Sequence, residues 1–304
     1  MPKKDSKHWE GKSRGGNFGY WFFIFLLKTV GLGFAYFFLK FIVIYFAIFA
    51  PKASKAQYKY FREIHKWSAS KSFISIIRNY YVFGQVILDK VALMSGVKTK
   101  FTYNFDGEEY LHQLAKAKKG ALLVGAHFGN WEIAGQLLHR INTKVHVIML
   151  DAEHQKIKTL IGKNTEERSF NVIPIKNDMS HLALIKKAFE NNEFVAMHGD
   201  RFLDGAKYFN CEFMGKKADF PTGPFYMAMK YGIPITFVSA AKETNTHYHF
   251  FATEPKIFKN FGKPKMRDEE IKKILQLYIS NLEELIYKYP LQWFNYYDFW
   301  NSKS

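Results

Sequence analysis

The apolar segment from Tyr20 to Ala50 constrains this chain most, because its surface must be covered by lipid or by protein. Only Lys28 and Lys40 interrupt it with charge. Neither charge-free stretch reaches the ~20 residues that cross a bilayer, and a lysine near the bilayer centre costs about 2.5–3.5 kcal/mol on insertion scales. Basic residues flank both ends, so the distribution of positive charge orients no single span. We predict a segment that enters the cytoplasmic leaflet and stays there, or a tight hairpin. A single membrane anchor and a buried core helix are the alternatives.

The charge balance points to an acidic partner. The chain has 44 Lys and Arg against 27 Asp and Glu, a net charge of +17. A hydrophobic fraction of 48% excludes intrinsic disorder, and a single cysteine excludes a disulfide scaffold. Aromatic residues make up 18%, which suits a membrane interface. No nucleic-acid module is recognisable. We therefore expect an anionic membrane surface or an acidic protein as partner, and no nucleic acid.

The remainder of the chain alternates between short apolar runs and segments of helical periodicity. This alternation predicts an α/β fold, with a mostly parallel central sheet flanked by helices and an amino-terminal hydrophobic membrane-binding helix or hairpin. We place a membrane-anchoring segment at residues 1–66 and a catalytic domain at 67–304. The predicted strands are Gly120–Ala126, Val145–Leu150, Val172–Ile175, Glu193–His198, Pro234–Ala240 and His247–Thr253. Helices are predicted at Asn130–Arg140, 153–168, Met179–Asn191, 221–232 and Met266–Tyr289.

The stretch GAHFGNWEIAG, residues 125–135, carries the candidate chemistry. His127 follows a buried strand, and sites in open α/β sheets collect at the carboxyl ends of strands. Asn130 is a good helix N-cap. It places Glu132 in the first helical turn, where the helix dipole favours an ionised carboxylate. Such a carboxylate beside an imidazole would orient a general base. No Ser or Cys nucleophile lies nearby, so this pair would deprotonate a bound hydroxyl.

The H-x4-E pattern in HFGNWE resembles the hallmark of the lysophospholipid acyltransferase superfamily, which is H-x4-D/E. The glutamate, the Gly-Ala-His lead-in and the N-W-E run look most like the late acyltransferases of lipid A, which transfer lauroyl and myristoyl groups. Arg168 and Asp200, the latter in HGDRF, stand where that branch carries site residues. FPTGPF (Phe220–Phe225) and the terminal PLQWFNYYDFW are similar to its other blocks. The resemblance covers nearly the whole chain.

The resemblance implies transfer of an acyl group from an acyl thioester to a hydroxyl of a membrane lipid, most simply a lipid A precursor. His127 would act as general base, oriented by Glu132, whereas Arg168, Asp200 and Arg201 would bind substrate. Acyl carrier protein or coenzyme A would be the donor, with no cofactor and no metal. The acidic carrier protein fits the positive chain as a partner. The enzyme would lie at the cell inner membrane, with its catalytic domain on the cytoplasmic side.

Three alternatives stay open at this point. The acceptor could be another lipid: a lysophospholipid, an aminolipid or a secondary-metabolite ester. His127, Glu132, His198 and Asp200 could instead converge as nitrogen and oxygen ligands of a metal-dependent hydrolase. Finally, the chain could be a basic membrane-surface adaptor without activity, which binds anionic lipid or nucleic acid.

Overall fold

The amino-terminal segment folds as a helical hairpin. The computed structural model describes residues 16–137, 140–150, 170–175, 178–201, 205–258 and 262–301. Helix α1 spans Gly16–Thr29 and α2 spans Leu32–Phe49, separated at Gly31, whose φ of +94° suits a residue without Cβ. Phe38 of α2 packs on Phe22 and Phe23 of α1. These contacts hold the two helices antiparallel. Of the two forms predicted for this segment, the structure therefore has the hairpin.

Helix α2 has one face turned to protein and one exposed apolar face. The protein face carries Ala35, Tyr36, Leu39 and Val43, all buried. The opposite face, here called the lipid face, is between 44% and 64% exposed and consists of Phe34, Phe37, Phe41, Ile44 and Ile48. Both sets repeat every three or four residues, the spacing of one side of a helix. Within the described ranges, α2 alone is long and apolar enough to cross a membrane, with a mean hydropathy of 2.2.

Three further elements carry the chain from the hairpin to the sheet: α3 (Pro51–Lys59), a π-helical turn (Tyr60–Ile64) and α4 (Ala69–Met94). Helix α4 packs along α2. A Cβ at Gly84 of α4 would lie 2.6 Å from a methyl carbon of Leu39, so the glycine permits the close approach. Leu39 also belongs to the same cluster of buried side chains as Phe225 and Trp293 near the other end of the chain. The boundary between residues 66 and 67 stays a prediction.

A seven-stranded sheet forms the centre of the fold, in the order β1-β9-β8-β2-β5-β3-β4. The strands are β1 (Thr102–Asp106), β2 (Ala121–Gly125), β3 (Val145–Leu150), β4 (Asn171–Ile175), β5 (Phe194–His198), β8 (Ile235–Lys242) and β9 (His247–Ala252). All neighbouring pairs are parallel except β8 and β9. The predicted mostly parallel sheet is therefore confirmed. Strand β1 and the separate antiparallel hairpin of β6 (Tyr208–Phe213) and β7 (Lys216–Pro221) were not predicted from the sequence.

The other helices of the described ranges pack around this sheet. They are α5 (Glu108–Lys116), α6 (Trp131–Leu137), α7 (Ser180–Glu190), α8 (Gly223–Tyr231) and α9 (Pro264–Lys288), followed by a 3-10 turn (Phe299–Asn301). Four of the five predicted helices are confirmed, whereas the one predicted at 153–168 lies outside the described residues. The long amphipathic α9 buries Ile274, Leu275, Tyr278 and Ile279 along one side. Its Tyr278 hydroxyl donates to the carbonyl of Gly125 at 2.9 Å, which fixes the end of β2.

Candidate active site

Two adjacent strands bring His127 and Asp200 together. Strands β2 and β5 are parallel neighbours, with Gly125 opposite His198. Continuing this register by two residues places His127 opposite Asp200. Both therefore lie just beyond the carboxyl ends of their strands, at the edge of the sheet where the sequence placed His127.

The carboxylate of Asp200 holds His127 through two hydrogen bonds. Its Oδ1 lies 2.8 Å from the ring Nδ1, and its Oδ2 accepts the backbone N–H of His127 at 2.9 Å. The Asp200 side chain is 2% exposed, whereas that of His127 is 28% exposed. The imidazole is thus fixed from the protein side and remains accessible from outside.

The charges at this pair keep Asp200 ionised. Burial alone would raise the pKa of Asp200, but the charge and hydrogen bond of His127, together with the charge of Arg201, hold the pKa of this carboxyl well below its usual value. An ionised carboxylate only accepts hydrogen bonds. The Nδ1 of His127 therefore carries the proton, and in the neutral ring the lone pair lies on Nε2.

A second histidine lies beside this lone pair. The Nδ1 of His198 is 3.4 Å from the Nε2 of His127, beyond the usual range for a nitrogen hydrogen bond. Burial, reinforced by the charge of His127, lowers the pKa of His198 to about 3, so its ring is neutral near pH 7. Trp131 packs edge-on against it, with ring centroids 5.0 Å apart. His198 therefore shapes the pocket around Nε2 without adding a charge there.

The carboxyl-terminal segment clamps the loop that carries His127. The backbone N–H of Phe294 donates to the carbonyl of His127, and that of Gly129 donates to the carbonyl of Gln292, both at 2.9 Å. Gly129 has a φ of +59°, and a Cβ there would lie 1.8 Å from the carbonyl oxygen of Ala240. Only glycine fits this position, because the loop crosses so close to β8. The loop is thus held on both sides.

Helix α6 begins directly after this loop. The side chain of Asn130 accepts the N–H of Ile133 at 3.2 Å, which confirms the predicted N-cap. Glu132 lies in the first turn of α6, as predicted, but its side chain lies outside the described residues. Arg168 also lies outside them. The orienting role of Glu132 and the substrate-binding role of Arg168 therefore stay predictions.

Arg201 follows Asp200 and lies at the same edge of the sheet. One of its terminal nitrogens donates to the carbonyl of Phe294 at 2.8 Å, and its guanidinium lies 5.6 Å from the ring centroid of Tyr297. Its buried Nε has no hydrogen-bond partner among the described residues.

The structure shows two neighbours of His127 that the sequence analysis did not place there. Asp200, expected to bind substrate, contacts the ring nitrogen that the sequence analysis left to Glu132. His198, which had a role only in the hydrolase alternative, lies beside the predicted base. Its position at the end of β5 was the available signal, because that strand is a direct neighbour of β2.

The fold and the site define an α/β enzyme whose exposed histidine is oriented by a buried carboxylate. The family model for bacterial lipid A biosynthesis acyltransferases matches residues 3–301, and the chain belongs to this family. It is an acyltransferase. Among solved structures, the 1-acyl-sn-glycerophosphate acyltransferase PlsC from Thermotoga maritima shares 16% identity with a TM-score of 0.34, over 88% of this chain and 97% of that one. A search of curated proteins finds no match.

Proposed function

We propose that this enzyme transfers a fatty acyl group from an acyl thioester to a hydroxyl of a membrane lipid, a lipid A precursor, with His127 as general base. One observation carries the proposal: the imidazole is hydrogen-bonded to a buried, ionised carboxylate at 2.8 Å while 28% of its side chain stays exposed. An oriented, reachable base suits an oxygen nucleophile supplied by the substrate.

The proposed reaction needs no nucleophile from the protein. Nε2 of His127 takes the proton of the acceptor hydroxyl as that oxygen attacks the thioester carbon. The C–O bond forms, and the carbonyl π electrons move onto the oxygen. When this oxyanion collapses, the C–S bond breaks and the proton on Nε2 passes to the departing thiolate. The products are the ester and the free thiol of the donor, and His127 returns to its starting state.

Two groups of residues would support this step. Asp200 offsets the positive charge that develops on His127, and Glu132 adds a second negative charge from the first turn of α6. Arg201, whose positive charge lies beside Asp200, would stabilise the oxyanion. Arg168 would hold an anionic group of the acceptor.

The surface chemistry supports both substrates. The lipid face of α2 offers exposed aromatic and aliphatic side chains to a bilayer. A net charge of +17 suits both anionic lipid and the acidic acyl carrier protein, which we propose as donor with coenzyme A as the alternative. We place the enzyme on the cytoplasmic side of the cell inner membrane, where such thioesters are made.

Mass spectrometry of membrane lipids from cells with and without an active gene tests this proposal. We expect one acyl-sized mass difference on lipid A or its precursors. The gene encoding His127→Ala should behave as the inactive gene. His112→Ala is the matched control, because His112 lies in α5 with its side chain 47% exposed. The gene with this change should restore the acylated species.

Other results would revise or reject the proposal. An acyl-sized change on a different lipid would replace the acceptor and keep the reaction. Acylation by His127→Ala equal to wild type would reject the base. Loss of acylation in both histidine variants would show only that the fold is sensitive, so thermal unfolding of the purified variants is measured in parallel.

A further inference from the structure

A buried polar cluster lies between the membrane hairpin and the sheet. It consists of Tyr36, Asp89, Lys242 and Tyr248 and is here called the Asp89 network. Lys242 Nζ lies 2.5 Å from Asp89 Oδ2, and both tyrosine hydroxyls donate to the same carboxylate. Lys242 also donates to the hydroxyl of Tyr36 at 3.1 Å. The four side chains come from α2, α4, β8 and β9.

Stability alone does not account for this network. The side chains of Lys242 and Asp89 are 3% and 0% exposed. Desolvating two such charges costs several kcal/mol, and well-packed apolar side chains of similar volume often serve the fold equally well. A carboxylate that accepts several hydrogen bonds restricts the direction and the distance from which each donor approaches it. The network therefore fixes how α2 lies against the sheet.

The network connects by two routes to the loop that carries His127, here called the catalytic loop. The side-chain N–H of Asn130 donates to the hydroxyl of Tyr248 at 3.1 Å, and Asn130 is the N-cap of α6, three residues after His127. On the second route, the backbone of Lys242 exchanges two hydrogen bonds of 2.8 Å with the side chain of Gln292. The carbonyl of Gln292 in turn accepts the N–H of Gly129.

At its other end the network reaches the membrane helix. Tyr36 lies on the protein face of α2, and the lipid face lies on the opposite side of the same helix. A rotation or shift of α2 that seats its aromatic side chains in lipid therefore moves the Tyr36 hydroxyl relative to Asp89.

We propose that Tyr36 is a positioning residue that couples the seating of α2 in a lipid surface to the geometry of His127. The inference rests on the proposed function and adds its regulation: the enzyme reaches full turnover only when α2 is embedded in a bilayer. In detergent kcat is lower, because the position of α2 relative to the catalytic loop is less well fixed.

The test is the ratio of kcat for an acceptor lipid in vesicles to kcat for the same lipid in detergent micelles. Vesicles of phosphatidylethanolamine and phosphatidylglycerol carry a lipid A precursor, with acyl carrier protein loaded with a fatty acyl chain as donor. We expect a ratio near tenfold for wild type and near one for Tyr36→Phe, with vesicle sedimentation unchanged. A purely structural defect would lower both kcat values equally and leave the ratio intact.

Matched variants make the outcome decisive. Tyr287→Phe removes a hydroxyl from a side chain 59% exposed on α9 and should keep the wild-type ratio. The double variant Asp89→Leu with Lys242→Met removes the charges at similar volume and should reproduce the Tyr36→Phe ratio. A wild-type ratio near one, or an unchanged ratio in Tyr36→Phe, would overturn the coupling. Absence of wild-type turnover, or wild-type turnover by His127→Ala, would instead reject the proposed function.

Discussion

Replacing Asp200 by Asn tests the assignment of the proton on His127. The carboxylate accepts two hydrogen bonds from His127, one from Nδ1 and one from the backbone N–H. Asparagine has only one side-chain oxygen. If that oxygen keeps the backbone N–H, which cannot change its role, the amide NH2 must face Nδ1. The ring then accepts at Nδ1 and carries its proton on Nε2, where the base is needed.

The expected loss follows from this tautomer. An Asp-to-Asn change that imposes the wrong tautomer on a catalytic histidine lowers kcat about 10⁴-fold in a Ser-His-Asp triad. Here the lost charge of Asp200 acts in the same direction, because it no longer offsets the imidazolium. We expect a drop in kcat of about 10³–10⁴-fold, or about 4–5.5 kcal/mol at about 1.36 kcal/mol per tenfold change. KM should change little, because neither tautomer alters the surfaces that bind the lipid.

The assay is steady-state acyl transfer to lipid in vesicles, with two comparison variants. Asp268→Asn removes a carboxylate that pairs with Lys207 at 2.9 Å on the surface, and its kcat should equal that of wild type. Glu132→Gln tests the carboxylate that the sequence favoured and should lose less activity than Asp200→Asn. The reasoning fails if Asp200→Asn keeps kcat within threefold of wild type, or if Glu132→Gln alone abolishes turnover.

Three further predictions concern the loop, the pH dependence and the metal alternative. Gly129→Ala should lower the free energy of unfolding, measured in urea, by more than about 2 kcal/mol, because the added Cβ would lie 1.8 Å from the Ala240 carbonyl oxygen. The control is Gly215→Ala, which has a φ of +77° and no atom near the added Cβ. It should lower the free energy of unfolding by only about 1 kcal/mol. Because the pKa of folded His198 is lowered to about 3 from 6.5, only the unfolded chain takes up this proton between those values. His198 alone should therefore lower stability by at most about 1.4 kcal/mol per pH unit as the pH falls below 6.5, and His198→Gln should show a slope shallower than wild type by up to that amount. EDTA should leave acyl transfer unchanged. His127, His198 and Asp200 each offer one ligand atom, and these atoms lie within 4.8 Å of one another. A loss of activity that zinc or manganese restores would therefore favour the metal-dependent hydrolase.

The sequence located the candidate histidine but not the carboxylate that contacts it, for a physical reason. A buried apolar run followed by His127 marks the carboxyl end of a strand whatever the order of the sheet. Asp200 stands 73 residues away, and two strands, β3 and β4, intervene along the chain before β5 pairs with β2. That pairing order is set by packing of the whole sheet and leaves no local trace. Glu132 was chosen because helical spacing is local and readable.

The elements that were missed show the same limit. Strand β1 alternates exposed and partly buried residues, so its short pattern gives a weak signal until β9 lies beside it. In the Asp89 network, Asp89 contacts Tyr36, 53 positions away, and Lys242, 153 positions away. The residues near Asp89 in sequence do not indicate that its carboxylate is buried. Its position in the apolar face of α4 becomes meaningful only once Tyr36 and Lys242 face it.

The two faces of α2 also bear on how the enzyme meets the membrane. A lone span is surrounded by lipid and is apolar on all sides, whereas α2 has one face closed by α4 and a tyrosine hydroxyl committed to a buried carboxylate. Its 18 residues extend about 27 Å, slightly less than the ~30 Å hydrocarbon core. Because a span would carry the charges of Asp89 and Lys242 towards the bilayer interior, insertion of the lipid face alone, by roughly 5–10 Å into one leaflet, is the less costly arrangement. Under the proposed function, this arrangement would leave the sheet edge with His127 outside the hydrocarbon, where a water-soluble thioester donor could reach a lipid hydroxyl.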